Sequence, residues 1–123
     1  MSVMRRLSMP QADDVRQAVR QAERRTGLRF AVYIGPAPAG PRDYAERLHA
    51  ALGEEAPGAV LLFVDPTARG LEIVTGERAR RRLPDARCQA VALSMATAFS
   101  GGDLSGGVVY GLSALAQHAA GSR

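Results

Sequence analysis

The sequence has no lysine and no tryptophan, and it has a single cysteine. All 16 basic residues are therefore arginine, which is typical of genes from GC-rich genomes and is not a functional signal by itself. One cysteine, Cys88, excludes an intramolecular disulfide and fits a reducing compartment. No apolar run is long enough to span a bilayer, and no apolar segment follows Arg5-Arg6 as it would in a signal peptide. We therefore expect a cytoplasmic protein without a membrane span.

Aromatic residues are scarce as well, at 5% of the chain. Proteins that bind single-stranded nucleic acid combine basic grooves with stacking rings, so nucleic acid is not an expected partner despite the net charge of +4. The 123 residues, 46% of them hydrophobic, suit one domain with an aliphatic core. The predicted organisation is a lead-in over residues 1–9, one domain over 10–120 and a frayed tail over 121–123.

The strongest local pattern is a pair of apolar runs around a turn. Residues 59–64 read AVLLFV, which is apolar on both faces of a strand and is typical of a covered central strand. Residues 65–70 read DPTARG, in which proline and glycine favour a chain reversal. Residues 71–75 read LEIVT and alternate only partly, as an edge strand does. This pattern predicts a β-hairpin that other elements must bury.

Helical and strand periodicities surround the hairpin. A helix is predicted to begin after Ser8 and end at Thr26-Gly27, a strand covers 28–34, and a second helix covers 42–52. A helical turn at 77–83 precedes a helix at 85–99, which is apolar almost all round and is therefore expected either to be deeply buried or to contact several layers. The last helix begins at Asp103 or Ser105 and contains glycines expected to pack closely against a neighbour. The order predicts a three-layer α/β/α sandwich on a small mixed sheet with one parallel crossover.

Six short motifs occur in a fixed order between about residues 10 and 119: Thr26-Gly27, Tyr44-Ala45-x-x-Leu48, Gly58-Ala59-Val60-Leu61-Leu62, Leu71-x-Ile73-x-x-Gly76, Leu83-Pro84-Asp85 and Gly102-Asp103-x-x-x-Gly107. In this combination the chain resembles the TPM domain family, named for its thylakoid, photosystem-repair and acetylcholine-receptor-modulator members. With its VYIGP, ERLHAAL and VDP-x-x-R segments it is similar to a short, soluble actinobacterial branch of unknown function.

The resemblance implies an α/β/α sandwich, and some family members are credited with acid phosphatase activity or divalent-metal binding. Two departures bear on that activity. Many members carry Asp-Asn before the central strand, where this chain has Ala56-Pro57, and Gly-Tyr-Gly after the hairpin, where it has Thr75-Gly76-Glu77. Neither alanine nor proline offers a side-chain oxygen to a hard cation. The sequence therefore favours a non-catalytic domain over an enzyme.

Four carboxylates at predicted strand and helix ends are the candidate metal ligands: Asp65, Glu72, Asp85 and Asp103. Ligands of open α/β sheets bind near the carboxyl ends of strands, and carboxylates gathered there could hold Ca²⁺ or Mg²⁺. Asp65, Asp85 and Asp103 are then also the catalytic candidates, around a metal that polarises a phosphoryl group and supplies hydroxide. The alternative, which we favour, is that Asp65 serves a turn while Asp85 and Asp103 begin helices.

The densest charge cluster contains five arginines between residues 78 and 87. Arg78, Arg81 and Arg82 share one helical face by their spacing, and guanidinium groups suit phosphate or carboxylate ligands. The cluster is a candidate binding site for an anion or a protein partner, although a solvated helix face is the more common meaning of such a run.

The remaining reactive side chains are best interpreted as structural. Cys88 lies on an apolar helix face with no base beside it, as a core residue would. His49 and His118 stand on separate helices without metal-ligand spacing.

Taken together, the residues and the resemblance predict an uncharacterised TPM-like domain that binds a protein partner or a small anionic ligand. The alternatives are a weak metal-dependent phosphomonoester hydrolase and a structural homodimer formed through the glycine-rich last helix.

Overall fold

The computed structural model describes the backbone of residues 3–4 and all atoms of residues 7–38 and 40–121. Four strands form one sheet in the order of the chain: β1 (Val3–Met4), β2 (Arg29–Ile34), β3 (Ala59–Asp65) and β4 (Gly70–Thr75). The first three strands are parallel, and β4 returns antiparallel to β3 so that Leu62 lies opposite Ile73. The mixed sheet, the parallel crossover and the hairpin are confirmed.

Within the described residues, five helices and one 3₁₀ turn surround the sheet: α1 (Met9–Thr26), α2 (Pro41–Ala50), the turn Gly53–Gly58, α3 (Glu77–Arg80), α4 (Asp85–Ser100) and α5 (Leu104–Gly121). The start of α1 is a capping box, because the Ser8 hydroxyl accepts from the Gln11 amide and the Gln11 side chain accepts from the Ser8 amide. Its end is the left-handed Gly27, with φ 76°. Both ends of this helix lie where the sequence predicts them.

The helices lie on both faces of the sheet. The larger core joins one face of β2 and β3 to α1, α4 and α5, through residues such as Val32, Leu62 and Leu112. The smaller core joins the opposite face to α2, through Leu61, Phe63 and Ala45. Every residue of β3 is buried, because this strand has a neighbour on each side and a helical layer on each face. This is the predicted three-layer sandwich.

Of the two alternatives for α4, deep burial is wrong, whereas its contacts with a neighbouring helix and with the sheet agree with the other. Only Cys88, Val91 and Met95 are buried in this helix, and Leu93 is 73% exposed. The helix rests on α5 and β4 with one side, so its outer alanines face solvent. Alanine is a strong helix former whether or not it is buried, so an alanine-rich pattern overstates the buried arc.

The start of α5 is Asp103, whose carboxylate accepts from the Gly106 amide at 3.0 Å. Further along, Gly107 and Gly111 let α5 approach α4, because a Cβ atom there would collide with the Phe99 ring or the Met95 side chain. The close packing predicted for these glycines is therefore made within the chain, and they do not offer a glycine surface to a second copy.

Candidate functional site

Asp65 joins the hairpin to the loop after β2. One carboxylate oxygen accepts from the Ala68 amide at 3.2 Å, and the other accepts from the Ala37 amide at 3.3 Å. Only 6% of the residue is exposed. Its carboxylate therefore satisfies two loop amides, as the turn interpretation expects.

Glu72 lies on β4, at the edge of the sheet, and pairs with Arg42 of α2 at 3.2 Å. The same guanidinium contacts Glu46 at 3.0 Å and donates to the Ile73 carbonyl at 3.3 Å. Burial tends to lower the pKa of Arg42, but its hydrogen bonds to Glu72 and Glu46 outweigh burial and raise it. Arg42 is therefore a fixed cation that also covers part of the edge strand.

Asp85 stands in the first turn of α4 and lines, with Glu72 and Arg42, a cleft of about 270 Å³ beside β4. We call this the edge cleft. It brings together two of the four candidate metal ligands, whereas Asp103 caps α5 and Asp65 serves the hairpin loop. Over residues 7–38 and 40–121, no three His, Cys, Asp or Glu side chains are grouped as metal ligands would be.

The three candidate anion-binding arginines have different environments. The Arg82 guanidinium donates to the Thr26 carbonyl at 2.7 Å and to the Ala119 carbonyl at 3.2 and 3.3 Å. It thus holds the carboxyl ends of α1 and α5, where a cation is favoured. Arg78 and Arg81 are exposed, and α3 ends at Arg80 after a single turn, so the predicted shared helical face is not continuous.

Cys88 lines the edge cleft but is only 5% exposed. Burial, reinforced by the nearby charge of Asp85, raises the pKa of its thiol to about 11, and Arg42 and Arg80 offset this only in part. The thiol is therefore protonated at neutral pH and a poor nucleophile. This environment fits a core cysteine.

The two histidines take part in packing contacts. His49 is buried, with its Nε2 atom 3.1 Å from the Ala59 carbonyl oxygen. The Nδ1 atom of His118 lies 3.0 Å from the Arg87 guanidinium. These two contacts join each histidine to a neighbouring element, and neither histidine belongs to a group of three possible metal ligands among the described residues.

The open end of the hairpin, where this chain departs from the family motifs, is closely packed. A Cβ atom on Gly76 would collide with the carbonyl oxygens of Ala56 and Pro57, so the two departures from the motifs lie in direct contact. The Gly76 amide donates to the Ala59 carbonyl at 2.9 Å, which extends the β3–β4 pairing by one residue. The backbone therefore fills this end of the hairpin.

The opposite end of the hairpin borders a cleft of about 470 Å³, which we call the hairpin cleft. It lies at the carboxyl end of β3, between the hairpin turn, the end of α4 and the start of α5. Its lining is mainly apolar, with Arg69 as the one basic residue: Val64, Asp65, Pro66, Arg69, Gly70, Leu71, Ala96, Phe99, Ser100, Gly102 and Leu104. Sequence reasoning missed this cleft, because its walls come from segments separated by more than 20 residues.

Among the described residues, no helix is both long and apolar enough to cross a membrane.

Solved structures with the same fold have low sequence identity to this chain. The BA42 protein from Bizionia argentinensis matches with a TM-score of 0.85 and 17% identity, over 98% of this chain and 86% of that one. The N-terminal domain of a protein from P. gingivalis matches with a TM-score of 0.84 and 22% identity, over 98% and 81%. The N-terminal domain of cg2496 from Corynebacterium glutamicum matches with a TM-score of 0.78 and 14% identity, over 99% and 78%.

No curated protein matches the chain in sequence. The family model described as the TPM domain, however, matches residues 5–118. This match covers almost the whole chain, including the sheet and the helical layers on both of its faces. It also agrees with the six ordered motifs in the sequence. The chain therefore belongs to the TPM domain family.

Proposed function

We propose that this TPM domain is a non-catalytic binding module whose ligand is a small anion with an apolar body, held in the hairpin cleft. The observation that carries the proposal is the cleft itself. Its volume of about 470 Å³ lies within the range of small-molecule sites, roughly 300 to 1,000 Å³. It also lies at the carboxyl end of a parallel strand, where open α/β sheets bind ligands.

The lining supports an amphipathic ligand. Leu71, Phe99 and Leu104 offer apolar surface to a ring or short chain. Arg69 is exposed and, within the described chain, has no ion pair or hydrogen bond. A guanidinium free to turn toward the cleft suits a carboxylate or phosphate.

The exposed pair Arg78 and Arg81 is the other location for an anion. Neither residue lines the edge cleft or the hairpin cleft. A small ligand there would be bound by charge alone, which salt screens strongly. The hairpin cleft offers both charge and apolar contact, so we favour it.

The test uses 2-naphthoate as an apolar anion, with naphthalene-2-methanol as its neutral counterpart and inorganic phosphate as the anion without an apolar body. A ligand of this size in such a cleft has a dissociation constant on the order of 1 mM. We expect 2-naphthoate to raise the melting temperature and to shift the amide NMR signals of Leu71, Phe99 and Leu104. The neutral and purely ionic compounds should bind more weakly.

Two variants test which arginine binds the anionic group of the ligand. Arg69→Gln should weaken 2-naphthoate binding roughly three- to tenfold by removing a charged hydrogen-bond donor, while the matched Arg81→Gln should leave it unchanged. The opposite result would move the anion site to the arginine cluster. Absence of any NMR shift at 10 mM 2-naphthoate would refute the cleft as a binding site.

A phosphatase assay on the same protein tests the alternative that it is a hydrolase. Release of nitrophenol from p-nitrophenyl phosphate in the presence of Mg²⁺ or Ca²⁺, abolished by Asp103→Asn, would replace the binding module with an enzyme. Asparagine caps a helix about as well as aspartate, so this variant should fold and its loss of turnover would be chemical.

A further inference from the structure

Beyond the first turn of α4, which carries the exposed Asp85 and Arg87, the outer surfaces of α4 and α5 carry no charged side chain. Between residues 88 and 121 the sequence contains one charged residue, Asp103, although the whole chain has 16 basic and 12 acidic residues. Six of the exposed positions recur at helical spacing along the outer side of the two helices, and we call them the uncharged face: Ala90, Leu93, Thr97, Tyr110, Ser113 and Gln117.

The contrast with α1 shows that this is not a property of the helical layer as a whole. Like α4, α1 packs against α5, but its exposed positions carry charges such as Asp13, Arg16 and Arg20. Solvent-facing helix surfaces normally look like that of α1. Exposed single apolar residues are common on soluble proteins, but two adjacent helices without a charged residue over 88–100 and 104–121 form an unusually uncharged surface.

Two residues of the uncharged face are large and apolar. Leu93 is 73% exposed and Tyr110 is 48% exposed. Protein interfaces have cores that are depleted in charge and enriched in tyrosine, which often supplies much of the binding energy. Leu93 and Tyr110 are therefore the anchors expected of a docking surface.

The charge distribution indicates a second copy of this chain as the occupant. The net charge of +4 is carried by the rest of the surface, so two copies repel each other in most orientations. When two uncharged faces meet, no charged residue of the face itself is buried. Arg87, one turn before Ala90 in α4, contacts His118 at the end of the face, where a cation can stay in solvent. Such a face is complementary to itself, as a two-fold symmetric interface requires.

The size of the face is sufficient for a weak dimer. The uncharged part of α4, residues 88–100, is about 20 Å long and α5 is about 27 Å long, and the two side by side cover roughly 500 Å² per copy. A total of about 1,000 Å² is at the lower limit for specific interfaces, so a dissociation constant on the order of 10 to 100 µM is expected. From this face we propose that the chain forms a two-fold dimer through the outer surfaces of α4 and α5.

Sedimentation velocity between 10 µM and 1 mM protein tests the dimer. We expect the wild-type protein to become dimeric across this range, and 0.5 M NaCl to favour the dimer by screening the repulsion between copies. Leu93→Arg and Tyr110→Arg should each raise the dissociation constant at least about tenfold, by burying a charge in the interface.

Met9→Arg is the matched control, because Met9 is 70% exposed but lies at the start of α1. It should dimerise like the wild-type protein, and far-UV circular dichroism should show all variants folded. A monomer at 1 mM, or dimers unaffected by both Leu93→Arg and Tyr110→Arg, would overturn the proposal. So would a monomer that sediments with phosphatidylcholine vesicles through Leu93, which would assign the face to a lipid surface.

Discussion

Arg82 has the same charge as Arg78 and Arg81, yet it has a different role in the structure. Its guanidinium lies between the last turns of α1 and α5 and donates to the carbonyls of Thr26 and Ala119. Those carbonyls have no partner within their own helices, since helix ends leave their last four carbonyls unpaired. Their spacing in the sequence assigns the three arginines to one helical face. Only contacts with residues distant in the chain show that Arg82 has a structural role and that Arg78 and Arg81 are exposed.

Replacing Arg82 by methionine should lower the free energy of unfolding by about 2 kcal/mol, because charged hydrogen bonds to two half-buried carbonyls are lost. Arg81→Met removes the same charge from an exposed site and should change stability by less than about 0.5 kcal/mol. Urea unfolding followed by circular dichroism measures both values. If both variants lost the same free energy of unfolding, Arg82 would stabilise the protein through its charge alone and not through its hydrogen bonds to the ends of α1 and α5.

At the scale of elements, the β3–β4 hairpin is held by close approach at its open end. Gly76 has φ −70° and ψ 167°, which any residue can adopt, so its backbone does not require glycine. What requires glycine is the space, because the carbonyl oxygens of Ala56 and Pro57 occupy the position of a Cβ atom. A neighbouring glycine, Gly58, instead faces the tip of the Arg78 side chain.

Gly76→Ala should therefore destabilise the protein by about 3 kcal/mol, since only backbone movement can relieve the overlap. Gly58→Ala should cost less than about 1 kcal/mol, because the Arg78 guanidinium can turn away and alanine lowers the entropy of the unfolded chain. Thermal unfolding of the two variants gives the comparison. A Gly76→Ala protein as stable as Gly58→Ala would show that the carbonyl oxygens of Ala56 and Pro57 leave room for a side chain at Gly76.

At the scale of the whole molecule, β3 is shared by two cores of unequal size. The smaller core contains an aromatic cluster. The Phe63 ring stacks on the Tyr33 ring with 5.3 Å between ring centroids, and it packs edge-to-face with the Tyr44 ring at a centroid distance of 6.1 Å. The larger core lies under α1, α4 and α5, which hold most of the helical residues. Because both cores include side chains of β3, unfolding of the helical layer on one face would also disturb the strand on which the other layer packs.

This arrangement predicts one cooperative transition. The near-UV circular dichroism of a Tyr110→Phe variant, which reports Tyr33 and Tyr44 without the tyrosine of α5, should melt at the same temperature as the far-UV signal of the helices on the opposite face. Phe63→Leu should lower both midpoints together, with a loss of about 1 to 2 kcal/mol from missing ring contacts and volume. A near-UV transition that precedes the far-UV transition would show that the α2 layer unfolds on its own.

The sequence by itself was sufficient for the fold and the family. The hairpin and the capped ends of α1 depend on residues close together in the chain, and local patterns report such structure directly. The sequence narrows the start of α5 to Asp103 or Ser105, and the structure shows Asp103. The resemblance to the TPM domain family followed from the order of short motifs, which the match over residues 5–118 confirms.

The tertiary structure decided which side chains meet and which stay exposed. Glu72 and Asp85 line one cleft, the hairpin cleft is built from distant segments, and Leu93 faces solvent although its helix is apolar. Periodicity shows which residues share a face of their own helix or strand, but not which neighbour covers that face. The cleft and the uncharged face arise from contacts between segments far apart in sequence, and so they become visible only in the folded chain.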